Sequence, residues 1–145
     1  MLQHDEIQRA EQAVHHIGRR NLPAAARRIT NLMNGRDCQG QYEVAVAITE
    51  TSASLMRLAR PCEHSFFTVH PALALDTSHN GRSRLWAARF HAAITNDDHE
   101  TAFALWHTIA HGDRSTVSKA IGCLAWVSSQ YVAGTAPTAQ PHPYL

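Results

Sequence analysis

Residues 41–60, QYEVAVAITETSASLMRLAR, decide the fold class of this chain. The stretch contains neither Gly nor Pro. Its beginning has larger apolar residues at every second position, Tyr42, Val44, Val46 and Ile48, as in a strand, so a strand remains the alternative there. Small and apolar residues then continue at steps of three and four from Val44 to Ala59, over a length typical of a helix. We therefore predict a long helix over 41–60.

Further helices are predicted on both sides of this one, again from apolar residues spaced three and four apart. The first covers residues 2–20. The second runs from a cap at Asn21 to a stop at Gly35, and the fourth covers residues 82–95.

Capping signals mark the beginnings of the last two predicted helices. Asp97 followed by Glu100 has the spacing of a capping box and predicts a fifth helix. Asp113 or Ser115 can cap the sixth, because both side chains can accept a hydrogen bond from the first turn.

The predicted fold class is therefore all-α, a single-domain bundle of about six helices over residues 1–134. The segment 62–81 is predicted to be irregular, with one helical turn at 71–76. Residues 135–145 contain three prolines and are predicted to form a flexible tail.

The two halves of the predicted domain, residues 2–60 and 79–134, resemble each other at an ungapped offset of 77 in the numbering. Both follow the order long helix, tight turn, short helix, glycine stop, long helix. This order predicts two duplicated three-helix units that bury each other's apolar faces, with a chance similarity as the alternative. The small-residue helix contacts also resemble tetratricopeptide-type hairpins. The matched pairs are Ala10 and Ala87, Ile17 and Ile94, Ala25 and Ala102, Leu32 and Ile109, Gly35 and Gly112, and Ser52 and Ser129.

Residues 112–121, GDRSTVSKAI, carry the sharpest local motif. They resemble the turn and recognition helix of bacterial helix-turn-helix repressors. The resemblance implies that Arg114, Ser115, Thr116 and Lys119 contact phosphates and base edges, in a small dimeric regulator. The motif is one residue shorter than usual between the turn glycine and the valine. An ordinary capped helix is the alternative.

A second basic feature surrounds the first helical turn and gives a further candidate nucleic-acid contact or a docking site for an acidic protein. A solvated helix face is the alternative interpretation. The residues are Arg19, Arg20, Arg27 and Arg28, and a weaker patch follows at Arg82, Arg84 and Arg89.

Catalytic, metal and cofactor motifs give no comparable signal. His107 and His111 are spaced i and i+4, but they lack the neighbouring ligand that a metal site requires. No nucleophile elbow or phosphate-binding glycine loop is present in the sequence. Cys123 is predicted to be a buried, inert thiol. We therefore expect no metal, no cofactor and no enzymatic activity.

The overall composition fits a small regulatory or interaction protein. The formal net charge is +1, so any binding to a polyanion must be local. Three cysteines cannot pair completely, and the opening MLQHDEIQ lacks the order of a secretion signal, so we expect a reducing cytoplasm. No apolar run approaches the roughly 18–20 residues that a spanning helix needs, so we expect no membrane span. The predicted function is a non-catalytic module that presents a groove between its halves to a protein partner or to its own copy. Helix-turn-helix DNA binding is the alternative.

Overall fold

Six helices and a two-stranded ribbon are formed by the part of the chain that the structure describes. The structure is a computed structural model and describes residues 2–18, 22–59, 66–69, 81–132 and 139–142. The helices are α1 (His4–Gly18), α2 (Leu22–Met33), α3 (Cys38–Ala59), α4 (Gly81–Thr95), α5 (His99–Ala110) and α6 (Arg114–Val132). The strands are β1 (Phe66–Val69) and β2 (Ala139–His142). The predicted all-α bundle is confirmed, and residues 42–48 are helical.

The core lies around α3 and α6, which pack against each other and are both contacted by α1 and α4. Within α3, Val44, Ala45 and Ile48 are completely buried. Full burial of a side chain such as Ile48 stabilises the fold by about 1.5–3 kcal/mol. α2 packs on α1, and α5 packs on α4. The helical stripe therefore faces the centre of the bundle from Val44 to Ser52, whereas Leu55, three residues further along it, is 45% exposed.

Two tryptophans of the core have a hydrogen-bond partner for their indole N–H. Trp106 donates to the backbone oxygen of Cys38 at 3.1 Å, and Trp86 donates to that of Leu105 at 2.7 Å. Because a buried indole N–H without a partner is costly, these bonds allow both rings to be buried. The bond from Trp106 also joins α5 to the beginning of α3.

The helix bounds repeat along the chain. The offset that aligns Ala10 with Ala87 also relates α1 to α4 at both ends, and it relates α2 to α5 in the same way. The third pair of helices, α3 and α6, is capped alike, but here the offset in residue number is 76. Asp37 accepts from the Gly40 amide at 2.8 Å, and Asp113 accepts from the Thr116 amide at 2.8 Å. The contacts also correspond, since α3 packs on α4 as α6 packs on α1. This arrangement fits the predicted duplication, which stays a prediction.

The ends of two helices differ from those predicted. α5 is capped by Asp98, whose carboxylate accepts from the Thr101 amide at 3.0 Å, and the predicted cap Asp97 lies in the preceding turn with φ of 57°. Asp tolerates this left-handed conformation better than most residues. α3 begins at Cys38, three residues before the predicted start, because Asp37 caps it.

The two strands of the ribbon lie in segments that were predicted without strands: β1 lies within the irregular segment 62–81, and β2 lies within the tail 135–145. β1 and β2 pair antiparallel, with Phe66 opposite His142. Phe67 is buried, and its amide donates to Asn96 Oδ1 at 2.9 Å while Asn96 Nδ2 donates to its carbonyl at 2.8 Å. These bonds attach β1 to the end of α4. The helical turn predicted at 71–76 lies outside the described residues.

Candidate interaction surfaces

The residues of the helix-turn-helix-like motif lie at the beginning of α6, and their side chains are exposed. Arg114, Ser115, Thr116 and Lys119 all face solvent. Asp113 caps the helix, accepting from the amide of Thr116 at 2.8 Å and from its hydroxyl at 2.9 Å. These hydrogen bonds hold the pKa of the Asp113 carboxyl below its usual value. The structure therefore places a carboxylate charge beside these candidate residues, and the Thr116 hydroxyl donates to it.

The predicted arginine cluster is only partly within the described residues. Arg27 is exposed on α2, and Arg28 donates to Gln12 Oε1 at 2.8 Å, which ties α2 to α1. Arg19 and Arg20 lie outside the described residues. The weaker patch of α4 is exposed at all three positions, Arg82, Arg84 and Arg89.

The paired histidines of α5 lie on an exposed aromatic strip. The ring centroids of His107 and His111 are 5.8 Å apart, and His107 meets the ring of Phe103 edge-on at 4.4 Å. Among the described residues, no group of three or more His, Cys, Asp or Glu side chains could hold a metal ion. No helix in the described part of the chain is long and apolar enough to cross a membrane.

A buried histidine links α3 to α4 and was not singled out from the sequence. His91 is completely buried, and its Nε2 lies 2.7 Å from Ser52 Oγ. Its Nδ1 lies 3.3 Å from Thr95 Oγ1, and its ring stacks on Tyr131 at a centroid distance of 4.6 Å. Burial, and secondly the charge of Arg57, lowers the pKa of His91 to about 3. The imidazole is therefore neutral at physiological pH.

An apolar groove of about 350 Å³ lies between α1 and α3 and is hereafter called the α1–α3 groove. It is lined by Leu2, Ile7, Tyr42, Glu43, Val46, Ala47, Glu50 and His99. Ile7 is 38% exposed at its edge, whereas Ala10 and Val14, which follow it at helical steps of three and four on α1, are buried. The sequence predicts a groove between the halves. The observed groove lies mainly within the first half, and only His99 comes from the second.

Two carboxylates, Glu43 and Glu50, line the α1–α3 groove, and Glu50 is held in an ion pair. Arg57 contacts Glu50 at 2.8 Å and Asp97 at 3.2 Å, so this group of three carries a net negative charge. Glu6 pairs with Arg36. Arg57 also donates to the last carbonyls of α4, which fixes its guanidinium in place.

The three tryptophans of the second half differ in exposure. Trp106 and Trp86 are buried at 0% and 8%, whereas Trp126 on α6 is 43% exposed. Cys123 is half-buried, and burial raises the pKa of its thiol, although the charges of Arg84 and Lys119 act in the opposite direction. Lys119 lies one helical turn before Cys123, and the charge of Arg84 on α4 also acts on this thiol.

Comparisons with protein families, with curated proteins and with solved structures found no match to this chain.

Proposed function

We propose that this protein is a non-catalytic interaction module that binds a basic amphipathic helix of a partner protein in the α1–α3 groove. The observation that supports this proposal is the apolar groove itself, with Ile7 exposed at its edge and carboxylates along its rim. Helix-in-groove recognition places apolar side chains of one face into such a site. A contiguous exposed apolar surface with polar residues along its rim is typical of a docking site.

The charge of the rim selects the chemistry of the partner. Glu43 and Glu50 are seven residues apart on α3, so they lie on one side of the helix, separated by about 10.5 Å along its axis. A partner helix lying along α3 would place Lys or Arg at positions i and i+7 opposite these carboxylates. Its apolar residues at i+3 and i+4 would then enter the groove between them.

The arrangement most similar to catalytic machinery supports the non-catalytic proposal. A hydroxyl and an imidazole nitrogen at 2.7 Å, as in Ser52 and His91, can form an activated nucleophile. Both side chains are completely buried, however, so a substrate has no access to them. Their role is to join α3 and α4.

Binding of labelled helical peptides tests the proposal. The probe is a fluorescein-labelled amphipathic peptide with Leu on one face and Lys on the other, compared with the same peptide carrying Glu in place of Lys. We expect only the basic peptide to bind. Ile7→Asp should weaken this binding at least about tenfold, because it places a charge at the apolar edge. Leu55→Asp is the matched control, since Leu55 is 45% exposed on α3 outside the groove.

The remaining outcomes would each contradict the proposal. Equal loss of binding in the Ile7 and Leu55 variants would indicate non-specific adhesion. Self-association abolished by Ile7→Asp, measured by sedimentation, would identify a second copy as the occupant. Preference for the acidic peptide would exclude the rim carboxylates as the selective element.

A second candidate function is DNA binding through the beginning of α6, as the helix-turn-helix resemblance implies. The exposure of Thr116 and Lys119 favours it, since a recognition helix must present these positions to the major groove. Arg114→Ala and Lys119→Ala should then weaken duplex binding and reduce its salt dependence. Absence of duplex binding at low salt would exclude this candidate.

A further inference from the structure

An exposed stripe runs along α6 beyond the helix-turn-helix-like motif. Ser115, Lys119, Gly122 and Trp126 recur at steps of four, three and four, so they share one face of the helix, and all four are exposed. We call this face the α6 stripe. A Cβ atom at Gly122 would meet nothing within 4 Å, so the stripe is open at its middle.

The two helices beside and beneath the α6 stripe, α4 and α6, carry basic residues but no acidic ones. α4 contributes Arg82, Arg84 and Arg89, α6 contributes Arg114 and Lys119, and neither helix contains Asp or Glu. The acidic residues of the described chain lie instead on α1, α3, α5 and the connecting turns. α4 and α6 therefore carry five basic residues and no acidic one within their bounds, and Asp113 lies just before α6.

Arg84 of α4 acts on the same part of α6 as Lys119, which belongs to the α6 stripe. α4 and α6 pack against each other along their length, and His91 of α4 stacks on Tyr131 near the far end of α6. At the middle of α6, the charges of both Arg84 and Lys119 act on Cys123. Trp126 follows Lys119 by seven residues, or about 10.5 Å along the axis. Two cations and an exposed indole thus border one continuous face.

We propose that Arg84, Lys119 and Trp126 bind a single strand of nucleic acid laid along the α6 stripe. The two cations contact backbone phosphates, and the Trp126 ring stacks on a base. This inference goes beyond the proposed docking of a protein helix, because it concerns a different face of the bundle. The open position at Gly122 leaves room for the backbone of the strand to pass between Lys119 and Trp126.

The position of Asp113 favours a single strand over a duplex. Its carboxylate caps α6 at the end that a recognition helix would insert into the major groove, where it repels phosphates. Trp126 lies far along α6 from this end, at a distance of about 20 Å. Bases of a duplex are already stacked on one another, so their faces are closed to an indole, whereas those of a single strand are open.

Fluorescence anisotropy with labelled oligo(dT) of about 20 nucleotides, in parallel with a duplex of equal length, tests this inference. We expect oligo(dT) to bind more tightly than the duplex at low salt. Trp126→Ala should weaken oligo(dT) binding at least about fivefold, and Trp126→Phe should retain most of the affinity because it keeps an aromatic face. Lys119→Glu should weaken binding and reduce its salt dependence. Arg9→Glu, an equal charge change on exposed α1, is the control.

Intrinsic fluorescence gives a second readout that does not depend on affinity. Trp126 is the exposed member of the three tryptophans, so stacking on a base should quench its emission, and Trp126→Phe should abolish the quenching. The inference is overturned if oligo(dT) does not bind at low salt, or if Lys119→Glu and Arg9→Glu have equal effects. Preference for the duplex with sensitivity to Arg114→Ala would overturn it in favour of the helix-turn-helix interpretation.

Discussion

Acidification from pH 7 to pH 5 should lower the free energy of unfolding by about 2 kcal/mol through His91 alone. This side chain is completely buried, and its pKa is lowered from 6.5 to about 3, chiefly by burial. The unfolded chain therefore binds a proton below pH 6.5 that the folded chain does not bind. The contribution of His91 to stability is complete above this pH and is lost as the pH falls. The loss reaches about 5 kcal/mol below pH 3.

The interval from pH 7 to pH 5 separates His91 from the acidic groups. Glu6, Asp98 and Asp113 also have lowered pKa values, so their contributions are present above their ordinary values of 4.5, 3.8 and 3.8. They are lost at lower pH than the interval used. Urea unfolding followed by circular dichroism at constant ionic strength measures the difference.

His91→Phe should remove most of this pH dependence. The variant keeps a ring to stack on Tyr131, and the two neighbouring hydroxyls keep a carbonyl partner, Ser52 at 2.9 Å and Thr95 at 2.8 Å. His15→Phe, at an exposed position of α1, is the control and should leave the slope unchanged. If the wild type and His91→Phe lose equal stability between pH 7 and pH 5, the conclusion that His91 is buried as a neutral imidazole is refuted.

Three further substitutions, two of them with a matched control, test contacts of the core and of the helix ends by urea unfolding. Ser52→Ala should destabilise the fold by about 1–3 kcal/mol, because it leaves a buried imidazole nitrogen of His91 unpaired. Ser128→Ala, its control, should be neutral or stabilising, because the Ser128 hydroxyl is buried with no hydrogen-bond partner among the described residues. Equal losses of stability in the two variants would contradict this prediction. Arg57→Ala should lower the free energy of unfolding by about 2 kcal/mol, since it removes hydrogen bonds to two carbonyls at the end of α4. Arg9→Ala, which breaks an exposed ion pair, should lower it by less than about 0.5 kcal/mol. Asp113→Ala should cost about 1 kcal/mol through loss of the cap, and an unchanged midpoint would show that the cap contributes nothing.

The helices could be predicted from the sequence because their signals are local. Gly35 ends α2 with φ of 72°, as its position after an apolar stripe predicts. Residues 42–48 alternate like a strand, but the helical preference of the whole stretch 41–60 prevails over this short pattern. Asp97 and Asp98 both have capping side chains, and the choice between them depends on the tertiary path of the turn. Such ambiguities shift helix ends by only a few residues.

The candidate sites depend on contacts between distant residues and could be predicted only in part. The exposure of Lys119 follows from its place in the helical pattern. The groove edge at Ile7 does not, because periodicity identifies an apolar face but not where the neighbouring helix ceases to cover it. His91 is surrounded by apolar residues in the sequence, yet its burial requires Ser52, which lies far from it along the chain. The pairing of β1 with β2 depends in the same way on backbone bonds between distant segments.

Docking of a basic partner helix in the α1–α3 groove can be located residue by residue in a nuclear magnetic resonance titration. Isotopically labelled protein is titrated with the basic amphipathic peptide, and the amide shifts are mapped along the chain. The largest shifts should fall at residues 2–7 and 42–50, with little change along α6. Shifts that are largest on α6, or spread evenly over the surface, would contradict the claim.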